Sequence, residues 1–251
     1  MKVLFVGAGP GDPELLTIKA KRLIETCRCC IYAGSLVSDE VVALAPKGAE
    51  LHNSAEMSLG DITAVYKDAQ TRGMDVIRLH TGDPSLFGAI MEQMNELDAL
   101  GIEYEVVPGV SSFQAAAAAL KIELTVPEKS QAVILARNGG HTPVPAAQEL
   151  DQLGKSGATI CVFLSVQAIG EVVEKLTPHY GAQCPVAVVY RASWPDQRIT
   201  AGTLADIAEK VKKENITSTA IIIVGPAMER ARTASKLYDA SFTHAFRKAS
   251  R

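Results

Sequence analysis

The chain has 251 residues, 47% of them hydrophobic and 21% charged, which is enough for one or two domains with a sizeable core and no need of disulfides or metal. Its longest stretches free of Asp, Glu, Lys and Arg run to fifteen residues, short of a membrane span, and 25 basic against 28 acidic residues, a net charge of −3, argue against a surface built to grip nucleic acid. The charge is uneven: from Pro226 onward Arg230, Arg232, Lys236, Arg247, Lys248 and Arg251 face only Glu229 and Asp239, so this end is net +4 and the rest −7.

Short β-branched runs alternate with stretches of helical period, the signature of βα units. Met1 leads straight into a strand at Lys2–Val6, without the charged region, apolar run and cleavage site of a signal peptide. Gly7-Ala-Gly9-Pro-Gly11-Asp-Pro13 follows, with a helix expected from near Glu14. Cys27, Cys29 and Cys30 surround the start of a second strand, Arg28–Ala33. Five cysteines in all, an odd number whose spacing does not match the paired CxxC of a zinc site, imply a reducing, cytoplasmic setting in which these side chains fill core. Ile62, Val65, Tyr66 and Ala69 mark a helix, Asp75–His80 a strand ending in Thr81-Gly82-Asp83-Pro84, and Glu103–Val107 a strand ending in Pro108-Gly109-Val-Ser111-Ser112. An alanine-rich helix follows, and the composition changes at Lys121–Lys129.

Beyond that point strands are expected at Gln131–Ala136, Thr159–Phe163, Pro185–Tyr190 and Thr219–Val224. Helical stripes fall at Ile169, Val172, Val173, Leu176 and at Leu204, Ile207, Ala208, Val211. A hairpin around Trp194-Pro-Asp196 should join Val186–Tyr190 to Arg198–Gly202. The expected fold is α/β in two domains: residues 1–122 with a mainly parallel sheet and helices on both faces, and 123–226 with a mixed sheet. A basic tail, 227–251, completes the chain.

Three loops carry the functional signal. The glycine loop lets backbone approach a ligand after a strand, but Asp12 stands where a dinucleotide fingerprint needs glycine, and Pro10 and Pro13 remove N–H donors. No GxxxxGK[ST] is present. Alone, the loop could equally be a plain strand-to-helix turn. The Gly82-Asp83-Pro84 turn offers a fixed carboxylate that could accept from an amine or a ribose hydroxyl, at the strand end where open α/β sheets place ligands. His52, His80, His141, His179 and His244 show no HxH or HExxH spacing, so no metal site is expected, and Ser35 and Ser165 lack a nucleophile elbow.

Together these segments resemble the tetrapyrrole methylase family of S-adenosylmethionine-dependent methyltransferases. The resemblance is carried by Val6–Pro13, Tyr32-Ala-Gly-Ser-Leu-Val-Ser38, Arg78–Gly88, Val107–Ser112, Leu124–Pro127, Val189-Tyr-Arg-Ala-Ser-Trp-Pro-Asp196, Ser235–Asp239 and Phe242–Lys248. It implies a homodimer of two-domain chains, with S-adenosylmethionine folded between the domains and released as S-adenosylhomocysteine. The activity implied is methyl transfer to C-11 of precorrin-4 or of its cobalt form; a sister methylase acting at another ring position and an NAD(P)- or ATP-binding protein are the alternatives. Carried over by motif, cofactor contacts would come from Pro10, Thr81, Gly82, Asp83, Leu86, Ser111, Ser112, Leu164 and Ala192. The substrate is a polycarboxylate, for which Arg22, Arg137 and Arg191 are candidate partners, each equally readable as a surface charge. In the uroporphyrinogen-III methylases of this family an Asp follows the tyrosine of the Tyr32 segment, whereas here Ala33 and Gly34 follow it, so no general base is expected at that spot and no catalytic side chain is assigned.

Overall fold

A computed structural model describes residues 1–140, 142–229, 241–243 and 245–248. The chain divides into two compact units. The first comprises Met1–Ala119 together with Arg191–Gln197, and the second comprises Leu120–Tyr190 and the described residues from Arg198 onward. The boundary read from composition lies three residues later than this division, and composition had no means of marking Arg191–Gln197 as a piece of the first unit.

In the first unit β1 (Lys2–Gly7) leads through a 3-10 turn at Pro13–Leu15 into α1 (Ile18–Glu25). Then come β2 (Cys29–Tyr32), α2 (Asp39–Val42), β3 (Glu50–Asn53), α3 (Leu59–Thr71), β4 (Val76–His80), α4 (Met91–Leu100), β5 (Glu103–Val107) and α5 (Ser112–Leu120). The helix expected from Glu14 therefore starts at Ile18. Asp12 caps the 3-10 turn, accepting from the Glu14 N–H at 2.8 Å, and Thr17 caps α1. Ser58 and Asp61 form the reciprocal capping box that opens α3. β3 has no counterpart in the expected strands because Glu50-Leu-His-Asn53 is an exposed edge strand without a β-branched run.

All strand pairs of this sheet are parallel, in the order β3-β2-β4-β1-β5. The connections β1→β2→β3 step one way across the sheet and β3→β4→β5 step back, and right-handed crossovers put the two sets of helices on opposite faces. Alternating side chains follow suit. Leu4, Val6, Ile77 and Leu79 pack with Ala20, Ile24 and Val41 on one face, and Val3, Phe5, Ile31 and Val76 pack with Ile62, Tyr66, Ala69 and Leu97 on the other. β1 and β4 are neighbours whose chains leave toward opposite faces, which opens a crevice at their carboxyl ends.

The second unit holds β6 (Val133–Arg137), α6 (Leu150–Gly154), β7 (Thr159–Phe163), α7 (Ile169–Tyr180), β8 (Pro185–Tyr190), β9 (Arg198–Thr203), α8 (Ile207–Lys213) and β10 (Ala220–Val224). Its sheet is mixed, in the order β6-β7-β10-β8-β9. β6 and β7 are parallel, and β10 runs against both β7 and β8, so the loops after β6, β7 and β8 leave the same end. Val172, Leu176, Ile207 and Val211 pack on Ile160, Val162, Val186, Val188 and Ile222. The expected β8–β9 hairpin forms with Tyr190 opposite Arg198, whose guanidinium lies 4.6 Å from the tyrosine ring centre. No helix among the described residues is long and apolar enough to cross a membrane.

Candidate active site

The three loops singled out in the sequence follow β1, β4 and β5, which are adjacent strands. They meet as backbone. Gly9 and Gly82 exchange hydrogen bonds, Gly9 N–H to the Gly82 carbonyl at 3.3 Å and Gly82 N–H to the Gly9 carbonyl at 2.7 Å. A Cβ on Gly7 would fall 2.6 Å from the Gly109 backbone and 2.7 Å from the Gly82 oxygen. Gly7 and Gly109 thus need glycine because the backbone of the neighbouring loops occupies the space a side chain would fill, whereas Gly82 needs it for its φ of +61.

Asp83 binds the junction together. One carboxylate oxygen accepts from the Gly109 N–H at 2.9 Å, and the other accepts from the Ser85 N–H at 2.8 Å and from the Ser85 hydroxyl. Burial alone would raise this carboxyl, yet the hydrogen bonds from Ser85 and Gly109 hold it below the ordinary carboxylate range. The sequence suggested a fixed carboxylate that could accept from an amine or a ribose hydroxyl; what fixes it is the Ser85 and Gly109 donors, which take up much of its acceptor capacity. Asp83→Ala is expected to cost about 2 kcal/mol in chemical denaturation, since it strands the Gly109 N–H, with a smaller loss for Asp83→Asn, which keeps one acceptor oxygen. With the folded pKa lowered, this stabilisation is complete above the unfolded carboxylate pKa and fades as pH falls through the folded value. An alanine variant as stable as the parent would refute this role.

The other expected contacts fall as follows. Pro10 is buried, and its carbonyl accepts from the Trp194 indole N–H at 2.8 Å. Thr81 is exposed at the crevice and Leu86 half-buried. Ser111 is buried and opens α5, its carbonyl taking the Gln114 and Ala115 N–H groups while its own N–H donates to the Gln114 side chain at 2.9 Å; Ser112 is half-buried. Leu164 follows β7 at φ +53 with its side chain 71% exposed, an apolar residue held in a sparsely populated conformation and turned to solvent. Ala192 is buried in the β8–β9 loop. The segments 7–13, 81–88 and 108–112 contain Asp12 and Asp83 and neither lysine nor arginine, an electrostatic setting suited to a cationic ligand.

The three arginines differ in what holds them. Arg137 ends β6 and donates to the Pro143 carbonyl at 3.1 Å. Arg191 follows β8 and pairs with Asp196 at 2.8 Å. Arg22 lies in the last turn of α1, which runs back from the carboxyl end of β1 toward the start of β2, so the fold carries it away from the loops. Residues 230–240, 244 and 249–251 of the expected basic tail lie outside the described residues, as does His141.

Sequence reasoning missed the polar groups behind the crevice. His80, the last residue of β4, is buried with its Nε2 unpartnered among the described residues. Burial, and then the nearby Arg78 charge, push its pKa down to about 3. Arg78 is itself buried, and among the described residues no carboxylate pairs with it. Its Nε donates to Gln93 at 3.1 Å, and the same Gln93 oxygen accepts from the Tyr66 hydroxyl at 2.9 Å. Strand alternation placed Arg78 and His80 on one face, and the tyrosine in the α3 stripe was the available sign of a polar partner.

Spacing also passed over Cys29, Glu50 and His52, which cross-strand register brings within 4.8 Å of one another. Both Glu50 oxygens are engaged by Arg72, at 2.8 and 2.5 Å. Burial, then the Glu50 charge, push the Cys29 thiol up to about 11, so neither group stands ready as a ligand. All five cysteines are buried and unpaired.

A parallel sheet whose glycine-bearing loops converge at a switch-point crevice, followed by a mixed-sheet unit, defines a two-unit α/β protein. The family described as Tetrapyrrole (Corrin/Porphyrin) Methylases matches residues 2–208. The chain is 53% identical over 249 residues to the cobalt-precorrin-4 C(11)-methyltransferase of Methanocaldococcus jannaschii, covering 98% of this chain and 96% of that one. It is 47% identical to the precorrin-4 C(11)-methyltransferase of Sinorhizobium sp, with 98% of each covered. Among solved structures, that of a cobalamin biosynthetic enzyme, cobalt precorrin-4 methyltransferase, matches with a TM-score of 0.88 at 41% identity, covering 91% of this chain and 96% of that one. A uroporphyrin-III C-methyl transferase from Thermus thermophilus, complexed with S-adenyl homocysteine, matches with a TM-score of 0.76 at 29% identity over 90% of this chain and 98% of that one. The chain belongs to the tetrapyrrole methylase family.

Proposed function

We propose that the protein transfers a methyl group from S-adenosylmethionine to C-11 of precorrin-4, or of its cobalt form, in cobalamin biosynthesis. The observation that carries this is the junction of the β1, β4 and β5 loops, whose own segments hold two aspartates and no lysine or arginine, in a chain that shares about half its residues with C(11)-methyltransferases over nearly its full length. S-adenosylmethionine supplies a methyl group already activated on a positively charged sulfur. The residues assigned to hold it are Pro10, Thr81, Gly82, Leu86, Ser111, Ser112, Leu164 and Ala192, with Asp83 acting mainly by fixing the Gly109 backbone. Arg137 and Arg191 are assigned to carboxylates of the macrocycle.

In the transfer, an electron-rich ring carbon forms a bond to the methyl carbon as the methyl–sulfur bond breaks, and the sulfur keeps the electron pair. C-11 already bears a substituent and has no proton to lose, so the positive charge that arrives with the methyl group is relieved by a proton leaving elsewhere on the macrocycle, in keeping with Ala33 where uroporphyrinogen-III methylases carry an acid. What the chain contributes is alignment and exclusion of water, a contribution that can reach about 7–11 kcal/mol. No single side chain is then indispensable for proton transfer. A carboxylate or lysine substitution that abolishes turnover while both ligands still bind would contradict this.

The reading includes a homodimer, supported by the family resemblance, and a cytoplasmic setting, supported by five reduced, buried cysteines. Calorimetric titration tests the ligand assignment: S-adenosylhomocysteine should bind and NAD(P) and ATP should not, and the reverse pattern would overturn it. Turnover of precorrin-4 prepared with and without cobalt distinguishes the two substrates.

A further inference from the structure

The loop between β8 and β9 carries the chain's one tryptophan, and within the first unit it grips the glycine loop. The Trp194 indole N–H donates to the Pro10 carbonyl at 2.8 Å, and the ring occupies the space of a Cβ on Gly11. The neighbouring groups are tied as well: Ser38 donates to the Gly11 carbonyl at 2.7 Å, and the Asp12 N–H donates to the Ser193 hydroxyl at 3.1 Å. Three successive residues of the loop therefore have their backbone held by side chains from elsewhere.

The gripping loop is itself braced. The Arg191 guanidinium lies 4.7 Å from the Trp194 ring centre while it pairs with Asp196, and the Ser193 N–H donates to Gln197 at 2.8 Å. Arg191 and Ser193 sit at φ +46 and +71, left-handed conformations that non-glycine residues adopt at a cost. A loop needed only to turn a hairpin has shorter and less strained solutions. What this one accomplishes is delivery of an indole N–H to one carbonyl of the glycine loop.

We propose that Trp194 is a positioning residue for the methyl donor: it holds Pro10 and Gly11 in the backbone geometry that donor binding uses, and touches neither reacting atom. This rests on the assignment of S-adenosylmethionine to the crevice. Trp194→Phe keeps an aromatic ring and deletes the N–H. It is expected to weaken S-adenosylhomocysteine binding about tenfold, the scale of one well-made hydrogen bond and its packing. KM for the donor should rise in step while kcat and KM for the tetrapyrrole change little. Ser193→Ala, which removes only the tie to Asp12, should move the same quantities in the same direction by less, and it serves if the Phe variant folds poorly. Affinity and donor KM unchanged in both variants would overturn this inference alone. A parent protein that does not bind S-adenosylhomocysteine would overturn the donor assignment and this inference with it.

Discussion

Gly109→Ala is expected to lower stability by about 3 kcal/mol, a drop of roughly 10 °C in melting temperature for a chain of this size, and to abolish donor binding. The added methyl group would fall 2.8 Å from the Gly7 Cα and 3.1 Å from the Gly7 carbonyl carbon, and would lie against the Gly82 oxygen. All three are backbone atoms, two of them at strand ends fixed by parallel ladders, so relief requires the strand ends to part. Gly170→Ala is the control. It lies in α7 with nothing within 4 Å of the new carbon, so it should be neutral or stabilising by up to about 1 kcal/mol through helix propensity. Thermal melts and titration with S-adenosylhomocysteine read both effects, and a Gly109→Ala variant that melts and binds like the parent would contradict the three-loop junction.

The second large effect is a loss of stability in mild acid, traced to His80. Its folded pKa of about 3 lies below the ordinary histidine value of 6.5, so between these two pH values the unfolded chain binds one more proton than the folded one. Stability is then complete above about pH 6.5 and falls as pH drops toward 3, by about 1.4 kcal/mol per pH unit, or about 3 kcal/mol by pH 4.5. Most carboxylates titrate below this window, which isolates the histidine. His80→Gln keeps a polar side chain without the titration, and its stability should vary less steeply with pH between 6.5 and 4.5, by one proton's worth of slope. Equal slopes in the two proteins would show that His80 ionises freely in the folded state. The cost also bears on the site, because His80 ends β4 and its carbonyl accepts from the Ala8 N–H of the glycine loop at 2.7 Å.

Much of this was legible in the sequence where pattern and physics coincide. Val3–Val6 and Ile160–Phe163 are unbroken apolar runs within their strands, and the Ile62/Val65/Tyr66/Ala69 stripe lies on the core side of α3. The turn residues of Trp194-Pro-Asp196 marked a hairpin. Glu50–Asn53 was hidden because an edge strand needs no apolar face. The start of α1 was obscured because Pro13 and Asp12 are good helix-opening residues that here open a single 3-10 turn. At the site, three glycine-bearing loops announced a ligand, but the role of Asp83 could not be read without knowing that Gly109 lies beside it. Nor could the grip of Trp194 on Pro10, since 184 residues separate them.

Methylation at C-11 is read out by carbon-13 NMR of the tetrapyrrole formed with donor labelled in its methyl carbon. A single enriched methyl resonance assigned to a quaternary C-11 is the predicted result. Enrichment at any other ring carbon, or an unlabelled macrocycle recovered from protein that has bound both ligands, would contradict it.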